Sequence, residues 1–527
     1  MELLCPIKPK TMRTLLRIFL MSSLIASGMV YLSGCKDDDD PQPQLTGDSE
    51  TYDLAEVSGS GVSGTVTFAQ RDDDQVLITI QLMGTQSGAS HPAHIHANSA
   101  AEGGGIVLDL TDVNGADGKS ETVVNALNDG TALTYEDLLS FDGHVNVHMS
   151  SVDLGTLIAQ GDIGENELTG DAKVYTLTPV ADPAVSGTLT IAKRQKGTSL
   201  VTVALAGTPA GTYNSHFHAN SVAQGGPITI NLNAVNGTTG MAVTSVDTLN
   251  NGDAITYEEL LNYNGHFNVH GLGSYVVQAD IGGNELTGDT KVYTPSPVAD
   301  PNVGGTLTIA KRKRGTSLVT VALTGTTAGS YSSHFHANTV AEGGSITINL
   351  KPVDGTTGMA VTSVDTLNNG DPITYDDLLD YNGHFNVHGL GSYIVQADIG
   401  QNELTGDKKE YTLNELSTSG VSGTATFEKR KNGKTQVTLS LTGSVDGGDH
   451  PAHIHANDAA TGGGIVLDLE NVVGATGKSV TSAHELNDET AITYDQLIAY
   501  DGHINVHMSP ADLGTRIAQG NIGSNAP

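Results

Sequence analysis

His94-Ile95-His96 and His144-Val145-Asn146-Val147-His148 are the two stretches that decide the fold, because the chain contains both of them four times. The second stretch begins 50 residues after the first in every copy. The first stretch returns at residues 216–218, 334–336 and 453–455, and the second at residues 266–270, 384–388 and 503–507. Successive copies start 122, 118 and 119 residues apart. Each copy is therefore long enough to bury a core of its own and too long to be a solenoid repeat.

Composition favours β-domains with many turns, because the 527 residues include 64 glycines and no tryptophan. The formal net charge of −34 gives a surface that repels nucleic acid and attracts cations. Solubility alone also accounts for such a charge.

The first 34 residues are typical of a secretory signal peptide. Lys8, Lys10 and Arg13 belong to a basic start, and residues 15–30 are mostly apolar. Leu32-Ser33-Gly34-Cys35 resembles a bacterial lipobox, which implies lipidation of Cys35. Loss of this peptide leaves one cysteine, so we expect no disulfide.

Residues 35–50 form a charged, proline-containing tether. Its start, Lys36-Asp37-Asp38-Asp39-Asp40, resembles the surface-export signal of Bacteroidota lipoproteins. We therefore expect a lipid-anchored protein of the outer membrane, exposed at the cell surface. A plain linker is the alternative.

Each copy has the pattern of an antiparallel β-domain. Val76, Ile78, Ile80 and Leu82 alternate with less apolar residues, as in a strand with one face in a core. Thr134-Tyr135-Glu136-Asp137 resembles a capping box and predicts one short helix. The expected fold is all-β, with four tandem Greek-key-like β-sandwich domains. We place the domains at residues 51–170, 171–290, 291–410 and 411–527.

The copies are of two kinds in the order outer, inner, inner, outer. The outer copies have a histidine before the first stretch and a methionine after the second, whereas the inner copies have tyrosine and glycine there. These residues are His91 and Met149, Tyr213 and Gly271, Tyr331 and Gly389, and His450 and Met508.

Alternation within a strand places His94 and His96 on one face, and His144, Asn146 and His148 on one face of the second strand. Neighbouring same-face residues lie roughly 6.6 Å apart, so His94 and His96 can share an ion, but only one of His144 and His148 can join them. The candidate ligands for Cu²⁺ or Zn²⁺ are His94, His96, His144, His148, His216, His218, His266, His270, His334, His336, His384, His388, His453, His455, His503 and His507. The supporting residues are Asn146, Asn268, Asn386, Asn505, His91 and His450, with Met149 as a weak extra ligand.

Two other interpretations of the histidines stay open. They could form a structural hydrogen-bond network with the asparagines, or they could be catalytic. Catalysis has less support, because Glu102 is replaced by Gln224, Glu342 and Thr461 in the later copies. The sequence contains no recognisable Ser/His/Asp arrangement. Residues 112–118 resemble a calcium-binding loop, but their spacing differs from the EF-hand pattern by one residue.

Ala93-His94-Ile95-His96, the glycine-rich turn at residues 103–105 and Val145-Asn146-Val147-His148 resemble the CHRD family, named from chordin. The resemblance extends over about residues 50–527 and implies an extracellular binding role. Ala97-Asn98 departs from the Gly-Pro that family members often have. The His-x-His strand also resembles copper–zinc superoxide dismutase, but that family's disulfide is impossible here and its active-site arginine does not recur.

The sequence thus predicts a lipid-anchored envelope protein that acts by binding, with one transition-metal ion per domain. The alternative is a structural or adhesive array that presents its acidic surface to a protein or glycan partner. A dismutase-like enzyme ranks third.

Overall fold

The computed structural model describes residues 42–526, apart from residues 58, 272–274, 390–392 and 445–446. The predicted signal peptide, Cys35 and the acidic run of the tether lie outside the described residues. No helix in the described part is long and apolar enough to cross a membrane.

The described chain forms four similar antiparallel units, here called barrels 1 to 4. Barrel 1 contains β1 (Leu45–Glu56), β2 (Ser63–Arg71), β3 (Val76–Met83), β4 (Ser90–Ala97), β5 (Ile106–Asn114), β6 (Lys119–Val124), α1 (Tyr135–Leu139), β7 (Asp142–Ser150) and β8 (Asp153–Gly164). Barrel 2 contains β9 (Leu168–Pro179), β10 (Ser186–Arg194), β11 (Ser199–Ala206), β12 (Thr212–Ala219), β13 (Ile228–Asn236), β14 (Met241–Val246), α2 (Tyr257–Leu261), β15 (Asn264–His270) and β16 (Tyr275–Gly282). Barrel 3 contains β17 (Leu286–Tyr293), β18 (Ser296–Pro297), β19 (Gly304–Arg312), β20 (Ser317–Thr324), β21 (Ser330–Ala337), β22 (Ile346–Asp354), β23 (Met359–Val364), α3 (Tyr375–Leu379), β24 (Asn382–His388) and β25 (Tyr393–Gly400). Barrel 4 contains β26 (Leu404–Glu415), β27 (Ser422–Arg430), β28 (Thr435–Thr442), β29 (Asp449–Ala456), β30 (Ile465–Val473), β31 (Lys478–Ala483), α4 (Tyr494–Leu497), β32 (Asp501–Ser509) and β33 (Asp512–Gly523).

The strand order in barrel 1 is β1-β2-β3-β6-β5-β4-β7-β8, with a Greek-key connection among β3 to β6. Pairing of Ala55 with Gln160 joins β1 to β8 and closes the sheet. Barrels 2 and 4 repeat this order and also close. The predicted all-β class, with one short helix per repeat, is confirmed. Barrels 1, 2 and 4 are each one sheet that closes on itself, which leaves no free edge.

Barrel 3 differs because its first strand is split into β17 and β18. Pro295 lies in the gap, where barrel 2 has Leu177. Proline has no backbone N–H to donate to a neighbouring strand, which accounts for the break. The second piece still reaches the far edge, since Ser296 pairs with Gln396 of β25.

The core of each barrel comes from alternate strand residues. In β3, Val76, Ile78, Ile80 and Leu82 are buried, as the alternation predicts. The short helix covers one side of this core, and Tyr135 and Leu138 are its buried residues. Its predicted capping box is present in α1 and in the other three helices.

The linkers between barrels are short, and each is hydrogen-bonded to the barrel that follows it. β8 ends at Gly164 and β9 begins at Leu168. The turn between β10 and β11 contacts this linker, since the Lys196 N–H donates to the Glu165 carbonyl at 3.0 Å. The Arg314 N–H donates to the Gly283 carbonyl and the Asn432 N–H to the Gln401 carbonyl, so the same packing recurs at the later joints.

Candidate metal centre

The two histidine stretches lie on neighbouring strands, as the sequence predicts. β4 and β7 pair antiparallel, with His96 opposite His144 and His94 opposite Asn146. The residues between them, Ile95, Val145 and Val147, are fully buried in the core. The histidines therefore lie on the outer face of the barrel wall.

Three histidines of barrel 1 converge: His94, His96 and His148 offer ligand atoms that all lie within 4.8 Å of one another. Two nitrogens bound to one ion at 2.0–2.1 Å can be at most about 4.2 Å apart. Small side-chain rotations therefore suffice to close the triad on an ion. The same triad recurs as His216, His218 and His270, as His334, His336 and His388, and as His453, His455 and His507.

Backbone carbonyls fix which ring nitrogen faces the cluster. His96 donates from Nδ1 to the Gly104 carbonyl at 2.9 Å, and His148 donates from Nδ1 to the Leu154 carbonyl at 2.6 Å. Nε2 of each ring is then the atom with a free lone pair. In the described part of the chain, Nε2 of both rings and Nδ1 of His94 are buried without a hydrogen-bond partner.

The same three nitrogens are buried and unpartnered in every barrel of the described chain. They are Nδ1 of His216, His334 and His453, Nε2 of His218, His336 and His455, and Nε2 of His270, His388 and His507. Buried polar atoms normally have a partner. A fourfold recurrence of the same three convergent lone pairs fits a bound cation.

His144 does not join the triad, and its ring stacks on that of His96 with centroids 5.1 Å apart. Its Nδ1 donates to the Asn98 carbonyl at 2.8 Å. Asn146 accepts a hydrogen bond of 2.7 Å from the Gln160 amide. His144 therefore connects β7 to the loop after β4, and Asn146 connects β7 to β8. His266, His384 and His503 lie at the position of His144 and make the same bond to the chain.

Burial favours the neutral form of three imidazoles in barrel 1, those of His94, His144 and His148. Burial lowers the pKa of His94 below its ordinary value, and the neighbouring His148 ring lowers it further, whereas Asp109 opposes the shift. Burial also lowers the pKa of His148 and of His144. A metal ion binds neutral imidazole, so the lowered pKa values of His94 and His148 favour the form of these two rings that binds an ion.

The outer and inner barrels differ around the triad. In barrel 1, His91 lies outside the triad and bonds through Nδ1 to the Met149 carbonyl at 2.9 Å. Met149 itself is partly exposed at the surface. In barrel 2, the Tyr275 ring packs against His270 at 4.9 Å, and a cavity of about 580 Å³ borders His270. The cavity therefore lies beside one histidine of the barrel 2 triad.

Sequence reasoning missed three supporting residues. Gly104 offers the carbonyl that orients His96, whereas the sequence indicates it only as part of a glycine-rich turn. Asp162 accepts from the Ala100 N–H, and Arg194 in turn donates to Asp162. An arginine recurs at the end of the second strand of each repeat, and this recurrence could have identified Arg194. Its role is hard to predict from the sequence because the arginine belongs to the repeat that follows the site.

The fold and site together define a chain of β-barrels, each with an exterior histidine triad. Residues 42–157, which cover most of barrel 1, match the CHRD domain family. This match confirms the predicted resemblance for the first repeat. No curated protein matches the chain.

Proposed function

We propose that this protein binds transition-metal ions, one at each histidine triad, with Cu²⁺ held more tightly than Zn²⁺. The observation that supports this proposal is the set of three buried, convergent and unpartnered imidazole nitrogens that recurs in all four barrels. Imidazole suits both metals, and at a given nitrogen site divalent copper binds more strongly than zinc.

A purely structural network explains the triads less well. Such a network would give the inward nitrogens hydrogen-bond partners, as it does for Nδ1 of His96 and His148. A triad also leaves at least one coordination position open. The function that the triads support is metal capture or exchange.

We further propose that all four barrels are CHRD-like domains and that Cys35 anchors the array in the outer membrane, exposed at the cell surface. The first part is supported by the shared strand order and the shared triads. The second part is supported by the basic and apolar residues before Cys35. An acidic array near a membrane surface would concentrate cations around its sites.

Metal content tests the central proposal. The untagged chain from Leu45 onward would be purified, loaded with Cu²⁺ or Zn²⁺, and measured by mass spectrometry. We expect about one ion per barrel, and one ion fewer in a variant with His94→Ala and His96→Ala. His484→Ala changes a histidine outside every triad, and this variant should bind as many ions as the parent protein. A correctly folded chain that binds neither metal would contradict metal binding and favour an adhesive array with a protein or glycan partner.

A further inference from the structure

We infer that each of barrels 2, 3 and 4 supplies an arginine that positions the metal-site loop of the barrel before it. The three arginines are Arg194, Arg312 and Arg430. The inference rests on the proposed metal binding and adds a dependence between neighbouring barrels. The loop concerned, here called the site loop, comprises residues 98–104 in barrel 1, 220–226 in barrel 2, 338–344 in barrel 3 and 457–463 in barrel 4.

The three arginines are fully buried, although each lies at the end of a strand. Arg430 of barrel 4 donates from Nη1 to Asp398 Oδ2 of barrel 3 at 2.6 Å. Arg194 and Arg312 make the corresponding bonds across the other joints, to Asp162 and Asp280. A buried charge destabilises the fold unless it is paired and hydrogen-bonded. Removing the aspartate or the arginine would therefore leave the other charge without its partner.

The other oxygen of the aspartate holds the site loop. Asp398 Oδ1 accepts from the Val340 N–H at 2.7 Å, and Asp162 and Asp280 accept in the same way from Ala100 and Val222. The site loop in turn orients the histidines. In barrel 3 the Gly344 carbonyl accepts from His336 Nδ1 at 2.9 Å, and the Asn338 carbonyl accepts from His384 Nδ1 at 3.0 Å. A continuous set of bonds thus leads from Arg430 to the triad of the preceding barrel.

The two end barrels provide internal controls for this arrangement. Barrel 4 is followed by no described barrel, and its aspartate position is Asn521, whose Oδ1 still accepts from the Ala459 N–H at 2.7 Å. A neutral amide keeps the bond to the loop and needs no arginine. In barrel 1, which no described barrel precedes, the arginine position is Arg71, and it pairs with Asp73 two residues away. Aspartate and buried arginine therefore occur together only at joints of the described chain.

The test uses the full soluble chain in two backgrounds. One keeps the triad of barrel 3 alone and the other keeps the triad of barrel 4 alone, with the first two histidines of the other triads changed to alanine. Arg430→Met is placed in both. We expect Cu²⁺ affinity to fall about tenfold in the barrel 3 background, as is typical for groups behind metal ligands. We expect no change in the barrel 4 background, although Arg430 itself belongs to barrel 4.

A double variant makes the test sharper. Asp398→Asn together with Arg430→Met copies the arrangement that barrel 4 already has at Asn521. We expect it to restore most of the barrel 3 affinity. Equal losses in both backgrounds would overturn the inference, because the arginine would then stabilise only its own barrel. No loss in either background would overturn it as well.

Hydrogen exchange tests the arrangement without any metal. Arg430→Met should speed amide exchange in residues 338–344 and leave residues 457–463 unchanged. If neither parent background binds Cu²⁺, the proposed function fails, and faster exchange confined to residues 338–344 would still support the positioning role. Unchanged exchange in residues 338–344 would refute that role.

Discussion

Asp109 Oδ1 lies 3.8 Å from Nε2 of His94, on the ring nitrogen that does not face the cluster. Asp468 stands in the same relationship to His453 in barrel 4, at 3.6 Å. In the inner barrels the residues opposite the first triad histidine are Asn231 and Asn349. A carboxylate behind a metal-bound imidazole orients the ring and raises its basicity. In each outer triad the first histidine therefore has a nearby carboxylate that favours binding of a cation. The inner triads have a neutral amide at that position.

The first prediction concerns this difference. Asp109→Asn should weaken Cu²⁺ binding by barrel 1, and Asn231→Asp should strengthen binding by barrel 2. Because Asp109 is largely exposed, we expect about tenfold, at the low end for such groups. Competition titrations in chains that keep one triad would measure it. Glu136→Gln, an exposed acid on α1, is the control, and an equal effect of this change would show only a general charge effect.

The sequence predicted the repeats, the paired histidine strands and the short helix, because these depend on local periodicity and spacing. It limited the triad to one of His144 and His148 but could not choose between them. The choice depends on the Asn98 and Leu154 carbonyls, whose directions follow from loop geometry. Closure of the sheet could not be predicted either, because it depends on the pairing of β1 with β8, which lie at opposite ends of the repeat.

The second prediction concerns the charge at the first joint. At the second joint Glu285 pairs with Lys173 at 2.8 Å and with Lys313 at 3.2 Å. Burial alone would raise the pKa of Glu285, but these two lysines outweigh it and lower the pKa. At the first joint, burial raises the pKa of Glu167, and the nearby Glu50 raises it further.

Glu50→Lys should therefore give the first joint the ion pair that the second joint already has. For such a partly exposed pair we expect a gain of about 0.5–1 kcal/mol, decreasing with salt. Urea unfolding of the full chain at low and high ionic strength would measure it. Lys173→Glu is the matched opposite change and should destabilise the second joint. A loss of stability on Glu50→Lys would argue against this account of the joint.

The third prediction is that the metal-free protein loses stability as the pH falls below about 6.5, the ordinary histidine value. Burial lowers the folded-state pKa of His94, His144 and His148, and of their counterparts in the other barrels. The unfolded chain then binds more protons than the folded chain in this range, so stability rises with pH.

Urea midpoints between pH 7.5 and 5.5 would show this slope, in a range where most carboxylates stay ionised. A variant with glutamine at His148, His270, His388 and His507 should have a shallower slope. An unchanged slope in that variant would mean that other groups titrate instead.

The fourth prediction concerns the anchor. If Cys35 is lipidated, Cys35→Ala in the complete chain should move the protein from the membrane fraction to the soluble fraction. Fractionation with detection of a labelled lipid would measure this. Replacement of the other cysteine, Cys5→Ala, should leave the protein in the membrane. A Cys35→Ala protein that still sediments with membranes would refute the anchor.

The last prediction separates two adjacent glycines of barrel 1. A Cβ added to Gly104 would lie 2.1 Å from the Ala97 carbonyl oxygen, whereas a Cβ on Gly105 would meet nothing within 4 Å. Gly104→Ala must therefore displace the carbonyl that orients His96, and such overpacking costs typically about 1–3 kcal/mol.

We expect Gly104→Ala to abolish tight Cu²⁺ binding by barrel 1 and to leave the other triads occupied. Gly105→Ala, next to it in the chain, should bind four ions like the parent protein. Metal content and urea unfolding, measured on both variants, would distinguish a displaced ligand from general unfolding. Equal behaviour of the two variants would contradict the orienting role of the Gly104 carbonyl.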